Sequence, residues 1–452
     1  MSTETLDLLR AGQLTGTQKL SLACGLTRVP SEVFDLAESL EVLDLSNNSL
    51  KALPDDFERL QNLKAVFFIN NEFEEIPEVL ARCPKLRIVG FKSNRIRCIS
   101  ETALPPTLSW LILTQNELER LPQSIGNFTH LQKFMLAGNR LRSLPESISN
   151  CQNLELIRLS ANCLTELPPW LLALPRLSWL AYAGNPFCAA REVEGRSPLS
   201  TIDWQDLALE NTLGEGASGV ISEGLWQVTS TETQRVAIKV FKGRVTSDGL
   251  PADEMQACLA AGSHPNLANV LGKVENHPEN KSGLVLSLIP PDYSNLGGPP
   301  SLDTCTRDTY APETSFSLPS ILRIARGIAA AAAHLHRQGI MHGDLYAHNI
   351  LTNDEGDSLL GDFGAASFYE RSDVATGAAL ERLEVRAFGC LLEDLLDRCD
   401  EHLMAESQVI EQLRLIEQDC IHPIPSQRPL FADICDRLAR FELKADPIKG
   451  KS

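Results

Sequence analysis

Between residues 40 and 187 one pattern, LxxLxLxxN, returns seven times, beginning at Leu40, Leu63, Leu86, Leu108, Leu131, Leu154 and Leu177. The intervals are 23, 23, 22, 23, 23 and 23 residues, and an asparagine falls in phase in each unit: Asn48, Asn71, Asn94, Asn116, Asn139, Asn162 and Asn185. An interval of this size is neither a helical nor a strand period. It is the length of a whole supersecondary unit that cannot bury its apolar face alone, so the units must stack into a solenoid.

The letters of one unit explain its shape. In Leu40-x-x-Leu43-x-Leu45 the alternation predicts a short strand whose leucines enter the core. Asn48 turns the chain inward and supplies partners for backbone groups stranded by the turn. Leu53-Pro54 opens a return path, and Phe57 and Leu60 add core contacts at offsets of four and seven that recur in later units as Leu80 and Cys83, Ile125 and Phe128, Ile148 and Cys151, and Leu171 and Leu174. A degenerate unit precedes the array at Leu20, Leu22 and Leu26. The segment resembles a leucine-rich repeat array. Such arrays bind partners on the concave face, which here carries Phe67, Ile88, Trp110, Ile112, Met135, Leu156 and Trp179. A solvated sheet face alternates to polar residues, so this apolar run predicts cover by a protein partner or by the chain's own second domain.

Composition narrows the rest. At 452 residues the chain exceeds one core. The formal charge is −18, and residues 1–190 hold 18 basic and 20 acidic side chains against 23 and 39 in the remainder. That acidity argues against nucleic acid or an anionic membrane as the main partner. No run is apolar enough to span a bilayer, and Met1 to Arg10 lacks a basic start, so the expected location is cytoplasmic. Twelve cysteines without a CxxC are expected to be reduced thiols.

The second half carries chemistry in a fixed order. Leu213-Gly214-Glu215-Gly216-Ala217-Ser218-Gly219-Val220-Ile221 is a glycine loop between two apolar runs. Val236-Ala237-Ile238-Lys239 follows, then His342-Gly343-Asp344-Leu345-Tyr346-Ala347-His348-Asn349, Asp362-Phe363-Gly364 and Arg428-Pro429. Glycines let backbone approach phosphate oxygens closely, and an Asp with an Asn five residues later has the spacing of a phosphoryl-transfer loop. These stretches resemble the GxGxxGxV, VAIK, HRDLxxxN and DFG elements of the eukaryotic-type protein kinase superfamily.

The resemblance implies ATP and Mg2+. Asp344 would be the catalytic base, Asn349 and Asp362 would hold the metal, and Lys239 would pair with the phosphates. Residues 213–221 would cover the nucleotide, with Ile221 and Ala237 over the adenine and Leu286 at the back of its pocket. Glu254, on a helical stretch from Asp253 to Ala261, is the candidate to hold Lys239. Residues 290–316, rich in Pro, Gly, Ser and Thr, read as a long loop, either disordered or regulatory. Leu318 to Arg337 reads as a helix stopped by Gly339, with His334 and His336 as ordinary helix residues.

Departures from the family pattern are Gly343 in place of Arg, Tyr346 and His348 at the acceptor-sensing positions, and no APE. Glu384 looks like the start of the long central helix, leaving 365–383 for the activation segment. The expected architecture is an α/β leucine-rich-repeat solenoid followed by a bilobal α+β protein-kinase-like domain. The expected bounds are 1–188 for the repeats, 189–202 for a linker, 203–445 for the kinase domain and 446–452 for a tail. The resemblance implies a protein kinase without a membrane span, of the serine/threonine kind, with a pseudokinase scaffold or a small-molecule kinase as alternatives.

Overall fold

The computed structural model describes residues 2–188, 201–216, 218–242, 245–400 and 408–441. Most of the expected linker, the expected tail and Ala217 of the glycine loop lie outside these residues. The chain divides into two compact units, residues 1–177 with 184–189 and residues 178–183 with 190–452.

The first unit opens with helix α1, Ser2–Arg10, which buries Leu6 and Leu9. Strands β1 Lys19–Ser21, β2 Val42–Asp44, β3 Ala65–Phe67, β4 Ile88–Gly90, β5 Trp110–Ile112, β6 Lys133–Met135 and β7 Leu156–Arg158 then pair in parallel and in sequence order. The central residue of each strand, among them Leu43, Val66 and Val89, is buried. The return path of four units is a single 3-10 turn entered through a proline, as at Pro54 before Asp55–Arg59 and Pro77 before Glu78–Arg82. Proline holds the backbone extended there and needs no N–H partner. The next unit uses the short helix α2, Pro169–Leu172. The offset-four and offset-seven residues are buried without exception.

Each asparagine ties its unit to the one before. Asn94 Oδ1 accepts the Phe73 N–H at 3.0 Å, while Nδ2 donates to Phe68 O at 2.8 Å and Phe91 O at 3.1 Å. The residue just ahead of the asparagine takes a left-handed φ even where it is not glycine, from +53° at Ala161 to +59° at Asn47. That conformation is costly for an L-residue, and the asparagine's bonds to otherwise stranded backbone groups hold it in place.

The second unit includes strand β8, Trp179–Ala181. After β9 Thr201–Asp203 come β10 Leu207–Glu215, β11 Gly219–Gln227, β12 Thr233–Phe241, helix α3 Pro251–Ala261, β13 Val270–Glu275 and β14 Gly283–Ser287. Their sheet runs β10-β11-β12-β14-β13-β9, antiparallel except for the β13·β9 pair. Strand alternation sorts β12: Val236 and Ile238 join a core with Ile202, Leu207, Val274 and Val285, which turns Ala237 and Lys239 to the opposite face.

The remainder is mainly helical. Residues 290–316, expected to be disordered or regulatory, form an ordered loop carrying the two-residue β15, Ser294–Asn295. It delivers the chain to α4, Leu318–Arg337, with the bounds expected from sequence. Short strands β16 Ile340–Met341, β17 Ile350–Thr352, β18 Ser358–Leu360 and β19 Ser367–Phe368 frame the catalytic loop. The central helix α5 runs Val374–Leu396, so it starts ten residues ahead of Glu384. Asp373 caps it by accepting the Thr376 N–H at 3.0 Å, and the activation segment shrinks to residues 365–373. Helices α6 Gln408–Cys420 and α7 Phe431–Ala439 close the unit. All twelve cysteines are free thiols, and among the described residues no helix is long and apolar enough to cross a membrane.

Candidate active site

A cleft of about 760 Å³ opens against the cleft-facing side of β12. Leu213, Gly214, Ile221, Ala237 and Leu286 line it with Lys239, Glu254 and Asp362. The register explains the grouping, since Ile221 sits opposite Lys239 and Ala237 opposite Leu286 across neighbouring strands. A smaller cavity beneath the glycine loop adds Gly216, Ser218 and Gly219, again with Lys239 and Asp362. Two expected residues stand apart from both cavities. Val220 lines neither cavity, because alternation along β11 turns it to the other face, and Glu215 leaves the cleft to pair with Lys242.

The glycines differ in what demands them. A side chain at Gly219 would bring its Cβ within 2.6 Å of the Val240 carbonyl, so close strand packing requires glycine there. At Gly214 and Gly216 a Cβ would meet nothing within 4 Å. The protein's own packing does not ask for glycine at those two positions, which leaves room over the cleft for a ligand that needs backbone approach.

Lys239 and Glu254 form an ion pair with side chains 13% and 2% exposed. Burial works against the lysine's charge, but the carboxylates of Glu254 and Asp362 more than offset it, so its pKa lies above the ordinary value. Asp362 is exposed and held at φ +51°, a left-handed conformation that is costly for a non-glycine residue and that aims its carboxylate through local constraint.

On the catalytic loop, Asn349 Nδ2 donates to Asp344 Oδ2 at 2.9 Å and to the Asp344 carbonyl at 3.0 Å. That use of Nδ2 leaves the amide oxygen as the atom with which Asn349 could hold a metal. His342, fully buried, accepts the Asp344 N–H through Nδ1 at 3.3 Å and donates from Nε2 to Gly361 O at 2.8 Å, tying the loop to the segment that carries Asp362. Gly343 sits at φ +75°, and a Cβ there would lie 2.7 Å from the Ala365 carbonyl. The backbone path excludes a side chain, so the arginine of the family pattern has no place at this position.

Sequence reasoning missed three side chains around this loop. Glu384, 1% exposed on α5, accepts the Gly343 N–H at 2.8 Å and the His342 N–H at 3.3 Å. His336, read as an ordinary helix residue, is buried with Nε2 2.8 Å from Glu384 Oε2 and Nδ1 2.9 Å from the Tyr369 hydroxyl. Burial alone would raise the Glu384 pKa, yet His336 and the Gly343 N–H hold it below the usual carboxylate range. Asp308, in the long loop, accepts the Ala347 N–H and the His348 Nδ1–H, each at 2.6 Å. Desolvation opposes the His348 charge, but Asp308 and Asp344 raise its pKa above the ordinary value. No local spacing marks these residues, since their partners lie about forty positions away.

A glycine loop over a cleft, a lysine held by a helix carboxylate, and an Asp–Asn pair tied to the segment of a second Asp are the arrangement of a protein kinase domain, here preceded by a repeat solenoid. The family model described as protein tyrosine and serine/threonine kinase matches residues 207–388, and two leucine rich repeat models match residues 39–60 and 129–187. One segment of the chain thus matches a protein kinase family model, and two segments ahead of it match leucine rich repeat models.

Among curated relatives, fibroblast growth factor receptor 1 of Xenopus laevis is 25% identical over 52% of this chain, and that of Pleurodeles waltl 25% over 59%. The probable serine/threonine-protein kinase gdt4 of Dictyostelium discoideum is 31% identical over 54%. The chain spans only 34%, 39% and 16% of these relatives' own lengths. A leucine-rich-repeat protein of Leptospira interrogans, 32% identical, covers 39% of this chain and 45% of its own at a TM-score of 0.37.

Proposed function

We propose that the second unit is a catalytically competent protein kinase that transfers the terminal phosphoryl group of ATP to serine or threonine hydroxyls of proteins. The observation that carries the proposal is the grouping of Lys239, held by Glu254, with Asp362 in one cleft, while the Asp344–Asn349 pair is tied to the segment that carries Asp362 through His342 and through the Gly361 N–H bond to Asn349 O. Lys239 pairs with phosphate oxygens, and Glu254 keeps it extended into the cleft. Asp344 accepts the hydroxyl proton, and Asn349 orients it. The carboxylate of Asp362 and the amide oxygen of Asn349 are hard oxygen donors, which suits Mg2+. When bound, the metal supplies neutralisation of phosphate charge. The 31% identical relative named a serine/threonine-protein kinase supports the choice of acceptor.

A second reading draws on the activation segment. With α5 starting at Val374, only residues 365–373 remain to hold a peptide, which favours a small-molecule acceptor. Incubation with labelled ATP and Mg2+, wild type against Asp344→Asn, tests both. Label on the protein that is lost in the variant and recovered as phosphoserine or phosphothreonine supports the first reading. Label found on added small alcohols alone supports the second, and no transfer leaves a nucleotide-binding scaffold.

We further propose that the apolar strand face of the repeats takes a protein partner. Phe67, Gly90 and Ile112 share this face, since a Cβ at Gly90 would lie 2.8 Å from the Phe67 ring and 3.6 Å from Ile112, and Lys133 Nζ caps Trp110 at 4.2 Å. Trp110→Glu with Met135→Glu should abolish that binding, because a carboxylate desolvated against an apolar partner costs several kcal/mol. Unchanged partner binding in the double variant would refute it.

A further inference from the structure

The loop at residues 290–316 is held at both ends and in the middle. Leu296 N–H donates to Ile350 O at 2.8 Å, Gly298 and Thr309 exchange two backbone bonds of 2.7 and 2.9 Å, and Phe316 N–H reaches Arg398 O at 2.8 Å. Its centre is Arg307-Asp308. Arg307 grips α5 through Glu393 at 2.6 Å, Asp394 at 2.7 Å and the Cys390 carbonyl at 3.0 Å. With that anchor set, the neighbouring Asp308 turns the other way and spends both carboxylate oxygens on the catalytic loop, one on the Ala347 N–H and one on the His348 ring. Its side chain is 4% exposed.

A buried carboxyl group is costly to hold unless its oxygens are hydrogen-bonded. Asp308 meets that condition with two bonds of 2.6 Å to adjacent residues of a single turn. The same turn closes through Asn349 N–H to Tyr346 O at 3.1 Å, and Asn349 in turn holds the Asp344 carboxylate at 2.9 Å. The bonds run without a break from α5 through Arg307, Asp308 and the 346–349 turn to the base.

We propose that Asp308 is a positioning residue for phosphoryl transfer, fixing the 346–349 turn so that Asn349 presents Asp344 in register, with Arg307 as the strut that carries Asp308. The inference rests on the kinase reading above. It assigns to the loop a mechanical part in the reaction. Asp308 itself does not line the nucleotide cleft, so its loss is expected to act on the base more than on nucleotide affinity.

The test compares Asp308→Ala, Asp308→Asn and, as a control for charge loss on the exposed part of the loop, Asp303→Ala, all in the full chain. A base displaced by about 1 Å costs about a hundredfold, so Asp308→Ala is expected to lower kcat between about tenfold and a hundredfold while KM for ATP stays within about threefold. Asp308→Asn keeps an oxygen for the Ala347 N–H and should recover most of the rate. Asp303→Ala should match wild type. Hydrogen exchange of the Ala347 amide should be faster in Asp308→Ala than in wild type. A kcat loss mirrored by an equal rise in KM, or a loss that Asp308→Asn does not relieve, overturns the proposal, as does wild-type kcat in Asp308→Ala. If wild type itself transfers no phosphate, the kinase reading fails instead. The amide exchange then decides the strut alone, and unchanged exchange at Ala347 refutes it.

Discussion

Replacing Glu384 by Ala tests how the catalytic loop is held. The carboxylate accepts two main-chain N–H groups, from His342 and Gly343, and faces His336 at 2.8 Å, in a site that is 1% exposed. Water cannot replace it there, and breaking a buried charged contact on one side costs about 3–5 kcal/mol. For a unit of this size each kcal/mol shifts the melting temperature by about 2–4 °C, so the transition of the second unit should fall by about 10 °C. Glu384→Gln keeps an acceptor for Gly343 and should lose less than half as much. The linkage has a definite sign. The folded pKa of Glu384 is below its ordinary value of 4.5, so its stabilisation is complete above that value and disappears as pH falls through the folded pKa. Calorimetric melts of wild type and both variants between neutral pH and pH 4 measure this. A Glu384→Ala transition within about 2 °C of wild type at neutral pH would falsify the account, given the expected size.

Two further outcomes follow from backbone geometry. Gly343→Arg, which would restore the arginine of the family pattern, should lower activity and stability, because φ +75° and the Ala365 carbonyl at 2.7 Å admit no Cβ; raised activity would refute this. Asn94→Ala removes the acceptor of the Phe73 N–H and the donor to two carbonyls inside the repeats, so denaturant unfolding of the first unit should show a loss of about 2–3 kcal/mol, and a midpoint equal to wild type would refute the asparagine's role.

Sequence was sufficient wherever a function depends on near neighbours. The repeat interval, the buried offsets at Phe57 and Leu60, and the bounds of α4 follow from periodicity, because each unit stacks on a copy of itself and the pattern is sampled seven times. Lys239, Asp344, Asn349 and Asp362 could be singled out because each sits in a short stretch whose own backbone shapes the site. The early start of α5 rests on Asp373 accepting the Thr376 N–H, a cap that the reading of the helix start at Glu384 did not use.

The supports of the loop had no such sign. Asp308, His336 and Glu384 look like ordinary polar residues in a loop or on helices, and only folding brings them against partners 33 to 41 positions away. Gly343 likewise read as a lost arginine, and the structure shows a backbone conformation without room for any side chain. Sequence alone therefore determined the repeat architecture and singled out several residues that line the cleft, among them Lys239 and Asp362, which local spacing encodes. Tertiary structure decided which buried charges hold those residues in place, because a carboxylate's partner is set by where the chain returns in space, and burial makes that pairing obligatory.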